Sequence, residues 1–456
     1  MNDTIYEELK DELTKDILPY WEKWACDKEN DGFYGAIGND NKGDGSEWRG
    51  IVMVSRFLWS YSAAARFLGD KSYMKMADYA YDYMMRNFLD IRSGGMFWSV
   101  QTDGSPLVSR KQIYGNAFAL YALSEYAAAV KEVLGREGAA RYIMGEAVRL
   151  FGFLEDKARD KEYGGYWEAL GEDWNPTTET KLSEKDIDCD KSMNTNLHVM
   201  EAYTNLYRTL PVVFPEMQDG RQDAGVSAGA AGVTTSTAGV PVGAAGVLAS
   251  TATVQGTLKA ALEALVRVHV DKILDRKDWH LDLYFNKDWS QTGEDEISYG
   301  HDIEASWLLW EAAEVLGDGT LKDYVRPVAI AVADTALREG FDAATGGFED
   351  KLEPDGTRRT VRVWWNQSEA LNGFYNAWEM TGEEKYADAV EKVWAWVKAF
   401  QLDKENGEWF QEVTKEGRPC LDQVKGGNWK TSYHNTRCCM ELLRRAGIRG
   451  VTKAAF

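Results

Sequence analysis

Disulfide chemistry, a basic surface and a membrane span are all missing from this chain of 456 residues. Its five cysteines, Cys26, Cys189, Cys420, Cys438 and Cys439, are odd in number and irregularly spaced, which argues against a disulfide framework and fits a reducing compartment. Lys and Arg total 52 against 73 Asp and Glu, a formal net charge of −21. A phosphate backbone would be repelled by such a chain, so no nucleic-acid partner is expected. No apolar run approaches the roughly 18 residues of a membrane span. The segment Met1-Asn2-Asp3-Thr4-Ile5-Tyr6-Glu7-Glu8 is acidic where a secretory signal would be basic and then apolar. A cytoplasmic monomer with no membrane partner is the expectation.

What the chain does have is a repeat. Six glycine-aromatic or related loops begin near Gly32, Gly95, Gly165, Asp282, Gly347 and Gly407, at steps of 63, 70, 117, 65 and 60 residues. The one long step contains Ala224 to Gly256, a run of Ala, Gly, Val, Ser and Thr without charge or aromatic residue. It reads as part of a mobile surface insertion, residues 217–256, within a single domain spanning 1–456. Apolar spacing at i, i+3, i+4 and i+7 predicts twelve helices, near 4–22, 51–68, 72–88, 112–131, 138–156, 191–209, 258–274, 298–316, 320–338, 364–381, 384–400 and 432–446. Six helical hairpins closing on themselves make an all-α (α/α)6 barrel, even-numbered helices inside and odd ones outside. An open solenoid fits less well, because solenoid units run about 20–45 residues with short loops. The connections into the even helices here are long and rich in Trp, Tyr and Gly, as binding loops are.

The aromatic content, 18 Trp and 22 Tyr, is mostly core filling. Clusters at Trp364-Trp365, at Trp279 with Trp289, and at Trp429 lie at helix starts or in loops, where flat apolar faces suit a sugar. Histidine is scarce, with His198, His269, His280, His301 and His434 only. His269 and His280 read as structural. The other three sit near starts of even helices, which in a closed barrel share one end, so they would converge with Arg56, Tyr114, Asn116, Trp365 and Glu369. Spacings of three and six place His301, Glu304 and Trp307 on or near one face. Glu304 and Glu369 would suit a glycosidase, but imidazoles, with a pKa near 6.5, suit proton transfer beside a carbonyl, with Arg56 holding a developing enediolate. A zinc site at His434, Cys438 and Cys439 lacks a second ligand pair.

Six segments make the chain resemble a known family: Ser55-Arg56-Phe57-Leu58-Trp59, Tyr114 to Leu123, Met193-Asn194-Thr195-Asn196-Leu197-His198, Ser298-Tyr299-Gly300-His301-Asp302-Ile303-Glu304-Ala305-Ser306-Trp307, Val363 to Glu369, and Tyr433-His434-Asn435. They resemble the cellobiose 2-epimerases, within the wider N-acylglucosamine 2-epimerase superfamily. The resemblance implies that His301 and His434 are an acid/base pair exchanging the C2 proton through a cis-enediol, with His198 assisting ring opening. It implies that Arg56 binds the enediolate oxygens and that Glu304 supports proton transfer. Tyr114, Asn116 and Asn194 would contact the reducing-end sugar, and Trp307, Trp364, Trp365, Trp429 and Glu369 would shape the pocket. No metal or other cofactor is implied. The substrate implied is a β-1,4-linked disaccharide such as cellobiose or lactose, interconverted between glucose and mannose at its reducing end. A monosaccharide epimerase or isomerase, for mannose or an N-acylglucosamine, and a glycosidase-like or sugar-binding barrel are the alternatives.

Overall fold

Two kinds of helix alternate along the chain. One kind is apolar around its whole circumference, as in Ile51–Leu68 (α2), Ile113–Glu132 (α4) and Tyr299–Leu316 (α8), and so has to be surrounded by protein. The other carries a stripe, as in Met74–Asn87 (α3), which buries Met76, Ala77, Ala80, Tyr83 and Met84 and leaves its remaining face to solvent. A computed structural model of the chain describes residues 4–184, 186–217, 251–293 and 296–448. Among them are twelve helices: with those named, 4–24 (α1), 137–158 (α5), Met193–Val213 (α6), 251–273 (α7), Gly319–Glu339 (α9), Trp364–Thr381 (α10), 384–401 (α11) and Tyr433–Arg445 (α12).

The inner helices close a ring. α2 packs on α4, α4 on α6, α6 on α8, α8 on α10, α10 on α12, and α12 back on α2. The outer helices cover them, α3 on α2, α5 on α4, α7 on α6, α9 on α8, α11 on α10 and α1 on α12. This is the (α/α)6 barrel expected. Three inner helices stop at left-handed glycines, Gly69, Gly317 and Gly382, with φ of 66°, 68° and 72°.

At the other end, the loop before each inner helix is built the same way. Asp27, Asp90, Asp160, Asp275, Asp342 and Asp403 each donate their backbone N–H to the carbonyl five residues on. Each side chain accepts N–H groups from its own turn. In five of the loops the carboxylate also meets a buried cation from the short strand before the helix or, for Lys425, from the residue just ahead of that strand: Arg49 with Asp27 (2.5 Å), Lys111 with Asp90 (2.6 Å), Lys191 with Asp160 (2.5 Å), Arg362 with Asp342 (2.9 Å), and Lys425 with Asp403. Two-residue ladders then link neighbouring loops around the rim and pair the first with the last, Ala36–Ile37 against Gly426–Gly427. Loop tryptophans lock this rim: a Cβ on Gly95 would lie 2.5 Å from Trp174, and one on Gly165 2.3 Å from Trp289, both at φ of +73°.

Two expectations need correction. In the fourth loop the position equivalent to Gly95 and Gly165 is His280, whose backbone carbonyl accepts the N–H of Asp275, rather than a residue near Asp282. The seventh helix begins at Thr251, so residues 251–256, read from sequence as the end of the insertion, are its first turns. The rest of that insertion, from 218 to 250, lies outside the described residues.

Candidate active site

The inner helices deliver their first turns to the rim, and the polar residues there divide into two sets. Tyr114 and Asn116 are two residues apart, hence about 200° apart around α4, and they face different ways. The Asn116 side chain accepts the backbone N–H of Met96 (2.8 Å) and donates to the Gln112 carbonyl (2.9 Å), which pins the second loop. Asn196, Asp302 and Gln367 clip Tyr166, Leu281 and Phe348 in the same manner. Asn116 is therefore a loop clip and not a sugar ligand, contrary to expectation.

Tyr114 points inward, where it accepts from Arg56 Nη2 at 3.1 Å and lies 5.0 Å from the His198 ring. Arg56 also donates to the Trp429 carbonyl (2.7 Å), and its Nε is buried without a partner. Asn194 likewise leaves Oδ1 buried and unpartnered. Trp365 lies between two histidines, with its ring 4.8 Å from His301 and 5.6 Å from His434. Trp364 stands edge-on to His434 at 6.3 Å, and Trp98 and Tyr114 flank Trp429 at 6.0 and 6.1 Å. These contacts bring together His198, His301, His434, Arg56, Tyr114, Trp364, Trp365 and Trp429, residues from all six inner helices and the last loop.

Beneath the histidines lies a buried ionic cluster that sequence reasoning only partly anticipated. His198 Nδ1 bonds Glu201 Oε2 at 2.8 Å, and His434 Nδ1 bonds Glu369 Oε1 at 2.7 Å. His301 Nδ1 meets the Ser298 hydroxyl at 2.8 Å. Arg437 donates through Nη1 to Glu201 and to the Tyr433 hydroxyl, and through Nη2 to Glu304 (2.6 Å) and Glu369 (2.8 Å). Trp307 donates its indole N–H to Glu369 Oε2 at 3.0 Å. Glu369 and Trp307, expected to shape the pocket, are 0% and 1% exposed, with their polar atoms spent on protein partners beneath it. Glu201, Arg437 and Tyr433 were missed, although a spacing signal existed. Each cavity histidine is followed three residues later by a charge: Glu201, Glu304 and Arg437.

Burial lowers the pKa of His301 to about 3 and that of His434 well below its usual value, the latter with help from Arg56 and Arg437. His198 is lowered as well, by burial, against the pull of Glu201. Three carboxylates around one guanidinium cannot all stay charged out of water. Burial raises Glu304, helped by Glu369, to about 8, whereas Arg437 and the His198 bond outweigh burial and hold Glu201 at about 2. Burial raises Glu369 as well, so the pair keeps a proton at neutral pH, and Glu304 carries it because Glu369 already accepts from His434, Arg437 and Trp307. Donor atoms of Glu304, Glu369 and His434 lie within 4.8 Å of one another. That set does not suit a metal, because Arg437 Nη2 already bonds both carboxylates. Cys438 and Cys439 are buried, free and pushed up by burial, which disfavours the thiolates that zinc needs.

His269 and His280 hold structural positions. His269 Nδ1 bonds the Leu265 carbonyl at 2.8 Å, and burial lowers it to about 4. His280 lies between Asp302 (2.7 Å) and Glu339 (3.1 Å), which outweigh burial and push it up to about 9.

The model of the N-acylglucosamine 2-epimerase family matches residues 32–207 and 244–438, which take in every residue of this cavity. The chain belongs to that family. A cellobiose 2-epimerase of Bacteroides fragilis is 37% identical over 97% of this chain and 100% of its own. The solved cellobiose 2-epimerase of Spirochaeta thermophila superposes with a TM-score of 0.81 at 35% identity, covering 97% of each chain. That of Bacillus thermoamylovorans gives 0.80 at 32% identity, over 97% of this chain and 100% of that one. Family membership makes the protein an isomerase acting on carbohydrates.

Proposed function

We propose that this epimerase interconverts glucose and mannose at the reducing end of β-1,4-linked disaccharides, cellobiose or lactose, by proton exchange at C2 through a cis-enediol. The observation that carries the reading is the pair of histidines on either side of Trp365, beside an arginine with a free Nε. One imidazole removes the C2 proton, the electrons move onto the carbonyl oxygen, and the other imidazole returns a proton to the opposite face. His301, with only a hydroxyl at Nδ1, is the better neutral base. His434 has a carboxylate at Nδ1, so it is the ring whose protonated form is supported. Arg56, which helps hold His434 neutral, has its charge offset when it binds an enediolate oxygen. His198 and Tyr114 stand beside Arg56 for ring opening, and Asn194, Trp364, Trp365 and Trp429 line the sugar's path. The full-length likeness to enzymes named cellobiose 2-epimerase supports the disaccharide. Five unpaired cysteines fit a cytoplasmic enzyme.

Incubation with cellobiose in D2O, followed by NMR, tests the reading. The expected product is glucosyl-mannose with deuterium at C2. Free glucose would replace epimerisation by hydrolysis, and turnover of glucose or mannose equal to that of cellobiose would replace the disaccharide by a monosaccharide. His301→Asn and His434→Asn should each cost at least ~100-fold in kcat, the usual contribution of a placed acid or base.

A further inference from the structure

Arg437 is the most connected side chain beneath the cavity, and nothing in the reaction as drawn uses it. It lies one turn below His434 on α12 and is 2% exposed. Its two terminal nitrogens reach carboxylates on three other inner helices, Glu201 on α6, Glu304 on α8 and Glu369 on α10. The rings of Tyr433 and Trp307, 4.6 and 4.9 Å from the guanidinium carbon, prevent it from turning.

We propose that Arg437 is a positioning residue for epimerisation: by holding Glu201 and Glu369 on one guanidinium, it fixes the carboxylates that take the Nδ1 protons of His198 and His434. Both Nε2 atoms are thereby turned toward the sugar, free to take up or give back a proton. The inference rests on the acid/base reading above.

Geometry separates this role from a stabilising ion pair. Glu369 Oε1 bonds both His434 Nδ1 and Arg437 Nη2, so moving the guanidinium moves the histidine's acceptor. The carboxylate on His198 is bound to the other nitrogen of the same fork, so the two histidines are set by one rigid plane. For stability alone the arrangement is a poor one, because three buried carboxylates on one cation leave excess negative charge. Glu304 has to keep its proton for the cluster to persist, and it does so up to about pH 8.

The test is ring 15N NMR on the substrate-free, histidine-labelled full chain, with His198→Asn and His434→Asn giving the assignments among five histidines. Wild type should show Nδ1–H tautomers at His198 and His434. In Arg437→Gln at least one of them should move toward Nε2–H, while His269 and His280 keep their signals as internal controls. The kcat should fall about 100-fold with KM little changed, as for loss of one acid/base function. Unchanged tautomers, or wild-type kcat, would overturn the proposal. If Arg437→Gln does not fold, Arg437→Lys decides, since a point charge cannot bridge both carboxylates: a shift at one histidine supports the proposal, and wild-type tautomers with wild-type kcat refute it. Full activity of His198→Asn and His434→Asn would instead remove the acid/base reading and leave the tautomer result to judge Arg437 by itself.

Discussion

Glu369 and Glu304 are the same residue type on neighbouring inner helices, both buried and both bonded to Arg437 Nη2, yet exchange for glutamine should affect them very differently. Glu369 accepts three donors, from His434 (2.7 Å) and Arg437 (2.8 Å) on Oε1 and from Trp307 (3.0 Å) on Oε2. A glutamine has one acceptor oxygen. Its best orientation keeps that oxygen on His434 and Arg437 and turns its NH2 against the Trp307 N–H, so two buried donors face each other. A stranded buried donor costs ~1–3 kcal/mol, and weakening a bond to a charged group adds a share of its ~1.5–3 kcal/mol. Glu304 offsets part of this, because loss of the Glu369 charge frees it to ionise against Arg437. The net expectation for Glu369→Gln is a loss of about 2–4 kcal/mol. Glu304 already carries a proton at pH 7, so Glu304→Gln replaces one neutral acceptor with another and should stay within ~1 kcal/mol.

Denaturant midpoints of both variants and wild type at pH 7 and pH 9 check this. Native Glu304 holds a proton that the unfolded chain releases above its ordinary carboxylate range. Its contribution to stability is therefore present below about pH 4.5 and lost as pH rises through about 8. Glu304→Gln has no such loss and should overtake wild type at pH 9. If Glu304→Gln is the more damaging change at pH 7, or falls further behind wild type at pH 9, the proton has been placed on the wrong carboxylate and the charge argument for the cluster fails.

Asn116→Ala should destabilise by ~1–3 kcal/mol, by stranding the Met96 N–H, while leaving the KM for the sugar unchanged; a raised KM at full stability would restore the ligand role. Burial and the nearby Asp16 push Glu12 on α1 up to about 8, so Glu12→Gln should flatten the fall in thermal midpoint between pH 5 and pH 9. A midpoint curve parallel to wild type would count against it. His280, held up to about 9, adds stability that is complete below pH 6.5 and lost as pH rises through 9. His280→Gln should therefore lower the midpoint at pH 7 and lose its disadvantage above pH 9.

The barrel was readable because its periodicity is local: stripes and all-apolar helices, separated by glycine loops at nearly constant steps, need no knowledge of what touches what. The fourth loop slipped in register because its glycine signal is missing. Trp279 takes the left-handed conformation, φ +69°, that glycine takes in Gly94 and Gly164. The start of α7 was hidden because Thr251 to Gly256 looks like the low-complexity run before it. In the site, His198, His301, His434 and Arg56 could be found from their places at inner-helix starts, but the partners that fix their protons could not. The Glu201–Arg437 contact joins residues 236 apart, and only closure of the ring creates it. Asn116 was misplaced because a polar residue at such a start serves the cavity or the loop according to a rotation that the repeat spacing leaves open.

The fourth repeat shows how this scaffold tolerates change without losing its rim. Elsewhere a Lys or Arg neutralises the buried loop aspartate; before α8 the strand carries Ile297–Ser298 instead. The cation has moved into the loop, where His280 is charged by Asp302 and Glu339 and sits on the carboxylate that also clips Leu281. A buried carboxylate matched by a buried cation is thus retained in all six loops, although neither residue is at its usual position in the fourth. That substitution occurs beside His301, where Ser298 replaces a carboxylate at Nδ1. The repeat that departs most from the pattern is the one that supplies the least charged imidazole environment in the cavity, as a neutral base requires.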